Sequence, residues 1–455
     1  MQGGRKNSVG VERVRIEKLV AGGIGLARAA SGKILLVPMV LPGEEVAVRP
    51  LRSRKGYLEA ELQEVVTGHP GRVSPRCPHY GRCGGCDLQH AAYPLQLELK
   101  GDILLDQLHR AGVGVGEPGR LGEPLPAVED FGYRQRLRLQ LDKAGRWGFF
   151  RCRSHELEVI AECPLAVPEV NAVIRQFPVS PALGHLLGQG LEIEVSSSPG
   201  TGMVFLLVKL RRKARAADLL AARRVAVELS TVAAVFVEVD GQQRLGPFPE
   251  CPGLEDGRNM GLIRLPFPAL PKLGLPAYTL SQEVGGFCQV NQSQNRRMIE
   301  QMLAWLNLAE VRRVADLYCG MGNFSIPLAL AGISVTGSDL QRSAIRSAVF
   351  NAKEAGVSHC RFIQAPAEQT LRDLASAGER FDLLVLDPPR RGCAELVGLL
   401  GRLGAGLLLY VSCDPATLTR DLVALIGHGY GIEKIGIIDM FPQTAHLETM
   451  VLLRR

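Results

Sequence analysis

Cys413 stands in Tyr410-Val411-Ser412-Cys413-Asp414-Pro415, directly after the apolar run Gly406-Leu407-Leu408-Leu409. A buried strand ending there delivers a thiol to a turn, and Ala416 to Gly427 reads as the helix that follows. The nucleophilic form is the thiolate, and a free thiol has a pKa near ~8.5, so the helix N-terminus after Pro415 is expected to favour ionisation. Two carboxylates accompany it. Asp387 opens Asp387-Pro388-Pro389-Arg390 at another expected strand end, and Glu448 lies in His446-Leu447-Glu448-Thr449. One thiol and one carboxylate suffice for a reaction in which a nucleophile adds to a ring carbon and a base later removes a proton so that it can leave. Alone, Cys413 could be an inert buried cysteine and Glu448 a surface strand residue; their pairing raises both.

A ligand site is expected upstream. Asp316-Leu317-Tyr318-Cys319-Gly320-Met321-Gly322-Asn323 is a glycine-rich turn at a strand end, and Phe324 opens the next helix. Gly320 and Gly322 let backbone approach a ligand, and Asp339, at the end of the next strand, can accept hydrogen bonds from ribose hydroxyls. The sequence has no phosphate-cradling Gly-Lys-Thr/Ser motif, so a nucleoside-bearing cofactor without pyrophosphate fits better than ATP. S-adenosyl-L-methionine is that cofactor. C5 of uracil is too weak a nucleophile to take its methyl group unaided. A thiolate added at C6 pushes electron density onto C5, and a base must afterwards remove the C5 proton. Asp387-Pro388-Pro389 taken alone also suits methylation of an amino nitrogen, which would leave Cys413 unused.

The elements that must position these residues read as strand–helix–strand from about residue 290. Candidate strands are 313–317, 334–338, 360–365, 381–386, 406–412, 431–440 and 449–453. Near-continuous apolar strands argue an α/β fold with a doubly wound, Rossmann-like sheet buried on both faces. The last two strands have no helix between them and are expected to form an antiparallel hairpin at the edge. Short glycine- and proline-broken strands over about 8–67 predict a small β-barrel. Between them, Tyr133-Arg134-Gln135-Arg136-Leu137-Arg138-Leu139-Gln140-Leu141 alternates, with arginines 134, 136 and 138 on one face and leucines on the other. That face is either a phosphate-contacting ladder or a solvated surface. The expected organisation is therefore a barrel over 1–67, a central α+β domain over 68–275 and a catalytic domain over 276–455.

A chain of 455 residues is too long for one typical core. Of its formal charge of +7, much lies early: the first 72 residues hold 12 Lys and Arg against 7 Asp and Glu. A basic leading module suits a polyanion such as nucleic acid. The polar start, Met1 to Arg15, lacks the apolar core of a signal peptide, and no apolar run approaches the roughly 18 residues that span a bilayer. A cytoplasmic protein is expected. Eleven cysteines scattered through a large chain favour metal or catalytic roles over disulfides. Cys77, Cys83 and Cys86 have C-x5-C-x2-C spacing, Cys163 is the candidate fourth ligand and Cys152 its rival. Four thiolates suit iron–sulfur or zinc alike.

The carboxyl half resembles the uracil-C5 RNA methyltransferase family through Phe287-Cys288-Gln289-Val290-Asn291, the turn 316–323, Asp387–Arg390, Ser412-Cys413-Asp414-Pro415 and His446-Leu447-Glu448, in the family's order. The resemblance implies Cys413 as nucleophile and Glu448 as base, with Gln289, Tyr318, Gly320, Asn323, Asp339 and Asp387 at the cofactor and base pocket. Two positions depart from the usual pattern. Asp339 stands where Glu is more usual, which keeps ribose binding in kind. Asp414 stands where Asn is common, which should oppose thiolate formation. The cysteine spacing is similar to the [4Fe-4S] site of bacterial members, with a structural role implied. The leading barrel resembles a TRAM domain, an RNA-binding fold. Barrel plus cluster look most like the large-subunit ribosomal RNA enzymes, with transfer RNA as the alternative substrate. The target base must be unpaired or flipped out, because a duplex hides C5 and C6. Three modules in one chain are expected to act as a monomer.

Overall fold

The structure, a computed structural model, describes residues 10–114, 121–239, 243–248, 262–400, 403 and 405–455; the first nine residues of the expected barrel lie outside it. Seven strands of the carboxyl half form one sheet: β1 (Arg313–Leu317), β2 (Ser334–Asp339), β3 (Cys360–Gln364), β4 (Leu383–Leu386), β5 (Leu407–Ser412), β6 (Gly431–Ile438) and β7 (Glu448–Arg454). Their order is β3-β2-β1-β4-β5-β7-β6. The first five strands run parallel and β7 is antiparallel to both neighbours.

Strand side chains alternate between two apolar layers, as a period of two requires. Val314, Leu383, Val385, Leu407 and Leu409 face a layer built from Gln292–Trp305, Ser325–Leu330 and Arg342–Glu354. Ala315, Leu317, Leu384, Leu386, Leu408 and Tyr410 face the other, against Ala367–Ser376 and Pro415–Gly427. The doubly wound sheet expected from the apolar runs is present. The antiparallel hairpin expected at its edge is present as well, with β6 at the rim and the chain's last strand inserted between β5 and β6. Met450, Val451, Leu452 and Leu453 are buried, and a strand with both faces covered needs ladder partners for its backbone on both sides.

A second seven-stranded sheet precedes this one. Its order is Gln243–Phe248, Val232–Val239, Met203–Leu210, Gly190–Ser198, Arg136–Leu141, Trp147–Phe150, Leu157–Val159. Helices Pro168–Arg175, Pro181–Gln189 and Ala216–Glu228 pack into its core, an α+β arrangement. The hairpin Leu262–Phe267 with Tyr278–Glu283 straddles the expected boundary after residue 275 and buries Ile263, Leu265, Phe267 and Leu280 in the catalytic core. Helix Tyr93–Arg110 likewise contributes Leu104 and Leu108 to that core. At the amino end six strands between Glu12 and Thr67 enclose Val14, Ile16, Leu35, Val37, Val46 and Val48.

Candidate active site

The strand register brings the thiol and the carboxylate together. β5 and β7 pair antiparallel with Ser412 opposite Thr449, so the next residues outward are Cys413, just past the end of β5, and Glu448, at the start of β7. Both line one cavity of about 940 Å³ at the carboxyl ends of the parallel strands. That is where an open α/β sheet binds its ligands. Burial pushes the Glu448 carboxyl well above the usual range, and the neighbouring Asp387 pushes the same way. Asp387 is itself pushed up to about 7 by burial and by Asp316.

Cys413 departs from the expectation of an ionised thiol. Burial pushes it up to about 11, Glu448 and Asp387 add to this, Arg390 opposes it and Asp414 raises it further. The helix Pro415–Gly427 does begin after it, but Asp414 is its N-cap and accepts the Thr417 N–H at 2.8 Å. The helix end thus offsets Asp414 rather than the thiolate. Cys413 rests as a thiol beside the Glu448 and Asp387 carboxyl groups.

The ligand half of the cavity is built by the turn after β1. Tyr318 has φ +72°, Gly320 φ +56° and Gly322 φ +90°, a run of left-handed residues that folds the backbone tightly past the strand end. A Cβ on Gly322 would also stand 3.0 Å from Ile326 Cγ1. Gln289, Tyr318, Gly320, Asp339 and Asp387 line the same cavity as Cys413 and Glu448. Asp339 accepts the backbone N–H groups of Gly320 at 3.2 Å and Gln341 at 2.7 Å, which fixes its carboxylate at the rim. Gln282 Oε1 and Ser338 Oγ, both on residues lining the cavity, are buried without a partner among the described residues, the signature of a site for a polar ligand. The donor set fits a nucleoside carrying a charged side chain.

Asn323, expected at the pocket, is placed beside it. It does not line the cavity; its amide exchanges two hydrogen bonds with Asn295, at 2.8 and 2.9 Å, and so ties the turn to helix Gln292–Trp305. Asp316, at the heart of the motif, is buried rather than lining. It accepts from Ser325 Oγ at 2.6 Å and is pushed up to about 7 by burial. Lining residues not assigned to the site from sequence include Arg134, Phe441, His446 and the exposed Phe287. The arginine ladder comes apart. Arg138 pairs with Glu194 at 2.8 Å, Arg136 donates to the Gly286 carbonyl, and only Arg134, ahead of the strand, reaches the cavity. Glu194 lies opposite Arg138 on the adjacent strand, a cross-strand pair invisible to periodicity.

Cys77, Cys83, Cys86 and Cys163 line a second, smaller cavity of about 50 Å³, and Arg134 lines both. Cys152 is outside it, exposed, with its Sγ 3.4 Å from the Cys83 carbonyl. Burial pushes Cys83 up to about 11 and Cys86 to about 12. Among the described residues no group of three or more His, Cys, Asp or Glu is arranged to hold a metal ion. No described helix is long and apolar enough to cross a membrane.

A doubly wound sheet with a nucleoside-type turn and this strand order defines an S-adenosylmethionine-dependent methyltransferase domain. Residues 276–455 match the tRNA (Uracil-5-)-methyltransferase family and residues 6–63 the TRAM domain. The chain is 36% identical to a 23S rRNA (uracil(1939)-C(5))-methyltransferase of Pseudomonas entomophila, over 97% of this chain and 93% of that protein. The namesake from Vibrio parahaemolyticus is 32% identical over 98% of this chain and 96% of its own. The crystal structure of Pyrococcus abyssi tRNA (uracil-54, C5)-methyltransferase with S-adenosyl-L-homocysteine superposes with a TM-score of 0.72 at 25% identity, covering 97% of this chain and 100% of that one. The chain belongs to the RNA (uracil-C5)-methyltransferase family.

Proposed function

We propose that this enzyme methylates C5 of one uridine in structured RNA, with 23S ribosomal RNA as the substrate. The observation that carries the reading is the β5–β7 register, which sets a thiol and a carboxyl side by side in the cavity that holds Asp339 and Tyr318. S-adenosyl-L-methionine supplies the methyl group when bound. Asp339 would hold its ribose, and Gln289, Tyr318, Gly320 and Asp387 would complete the pocket. Cys413 Sγ gives its proton to the Asp387 carboxylate and bonds to C6, which makes C5 nucleophilic. After the methyl group joins C5, Glu448 takes the C5 proton, the C6–S bond breaks, and the departing thiolate regains its proton from Asp387. Methylation of an amino nitrogen gives Cys413 no task.

The ribosomal substrate rests on the higher identity to the two ribosomal RNA enzymes than to the transfer RNA enzyme. Cys77, Cys83, Cys86 and Cys163 would hold a [4Fe-4S] cluster, because these four and not Cys152 share one buried cavity. Its chemistry would be structural, tying residues 77–86 to the loop at Cys163. We place the enzyme in the cytoplasm with its RNA, acting as a monomer. Mapping 5-methyluridine by mass spectrometry in cells lacking the gene tests the substrate. A single 23S site that loses its methyl group supports the reading; loss from transfer RNA alone moves it there. RNA carrying 5-fluorouracil tests the chemistry, since C5 then bears no removable proton and a stable covalent complex is expected.

A further inference from the structure

The segment that delivers Glu448 makes few hydrogen bonds of its own, among them Thr444 Oγ1 to the Phe441 carbonyl at 2.9 Å. Residues 439–447 join β6 to β7 without regular structure, and Gln443 at its apex is a non-glycine residue at φ +68°. Such a conformation persists only where the surroundings over-determine it. Residues 87–100 and Asp130, from another part of the chain, do so. The Gln443 carbonyl accepts the N–H groups of Asp87 at 3.1 Å and Leu88 at 3.0 Å. Its backbone N–H donates to Gln96 Oε1 at 2.9 Å, its Oε1 accepts from Gln96 Nε2 at 2.9 Å and its Nε2 donates to Asp130 at 3.2 Å. Two residues on, the Ala445 N–H donates to the Asp87 carboxylate at 3.0 Å. At the segment's start, Lys100 Nζ pairs with Asp439 at 2.6 Å and donates to the Phe441 carbonyl at 3.1 Å, with both charged groups fully buried. The barrel closes the arrangement, since a Cβ on Gly23 would stand 3.0 Å from Ala445 Cβ.

We infer that Asp87, Gln96 and Lys100 are positioning residues for the catalytic base: residues 87–100, starting one residue beyond Cys86, brace the segment that aims Glu448 at C5. The inference rests on the proposed role of Glu448 and adds which step the brace serves. Thiol addition and methyl transfer depend on Cys413, which follows β5 directly and is not held by this brace. Proton removal depends on Glu448, which is. Loss of the brace therefore slows the release of the methylated RNA and leaves the earlier steps intact.

The test uses the full chain carrying Asp87→Ala or Gln96→Leu, beside Glu448→Gln. Expected are a kcat at least tenfold lower and a covalent protein–RNA adduct that accumulates on natural uridine RNA, as with Glu448→Gln. The RNA KM, S-adenosylmethionine affinity and the rate of adduct formation on 5-fluorouracil RNA should change less than threefold. Hydrogen exchange at the Ala445 amide should quicken, and Asp87→Asn, which keeps an acceptor oxygen, should restore turnover to within threefold of the parent. Unchanged kcat in both variants overturns the brace. So does a 5-fluorouracil adduct that falls in proportion to kcat, because the residues would then merely support folding. If the unaltered enzyme forms no such adduct, or Glu448→Gln accumulates none on natural RNA, the base assignment itself fails and the brace with it.

Discussion

Two groups of thiols in this protein share a cause and differ in company. Burial is the leading influence on both, holding Cys413 at about 11 and Cys83 and Cys86 at about 11 and 12. Around Cys413 the next influences are anionic, from Glu448 and Asp387. At Cys86 and Cys163, hydrogen bonds from Gln89 and from the Leu165 backbone come next and oppose burial, with the neighbouring thiols and the cation of Arg134 acting in opposite directions after them. The difference separates two uses of one functional group. A nucleophile flanked by carboxyl groups loses its proton at the moment of reaction, with the receiver at hand. Buried thiols gathered beside a guanidinium suit a permanent cationic occupant, which would hold them deprotonated together.

The largest effect that would break this contrast is at the nucleophile. Cys413→Ala should lower 5-methyluridine formation at least ~10⁴-fold and abolish the 5-fluorouracil complex, as seen on denaturing gels. Next comes Glu448→Gln, with turnover down by roughly 10²–10⁴-fold and the methylated adduct trapped. Rapid turnover by that variant would remove Glu448 from the base role. The second thiol group is probed by composition. Purified Cys163→Ala should lose bound iron and acid-labile sulfide and melt several degrees lower, whereas Cys152→Ala should keep both. The reverse pattern would exchange the two ligands. The smallest effect sharpens the electrostatics. Iodoacetamide should alkylate Cys413 faster as pH rises towards about 11, because the thiolate fraction grows. Glu448→Gln removes an anion opposing that thiolate, so alkylation at pH 8 should speed up, by about tenfold per unit of lowered pKa.

Most strands of the catalytic sheet were legible because buried parallel strands are apolar runs bounded by turns. The chemistry was legible because Cys413, Asp387 and Glu448 each sit at a strand end, where backbone pattern and side-chain type coincide. What escaped was pairing. The last two strands read as an edge hairpin and form one, but nothing local in β7 says that it will enter between β5 and β6. Asn323 belongs to the turn motif, yet its partner Asn295 lies on helix Gln292–Trp305, 28 residues earlier in the chain. Arg134, Arg136 and Arg138 looked alike by alternation and were separated by Glu194 across the sheet and by Arg134 preceding the strand.

By itself, then, the sequence determined which groups could react, because reactivity is a property of side chains and of the strand ends and turns that present them. It also determined that a sheet buried on both faces would carry them, because the apolar runs allow nothing else. Only the tertiary structure decided that Cys413 meets Glu448, that Gln443 is held from residues 87–100 and Asp130, and that the thiol rests protonated. Each of those depends on groups distant in the chain sharing a low-dielectric space, and local pattern carries no record of such meetings.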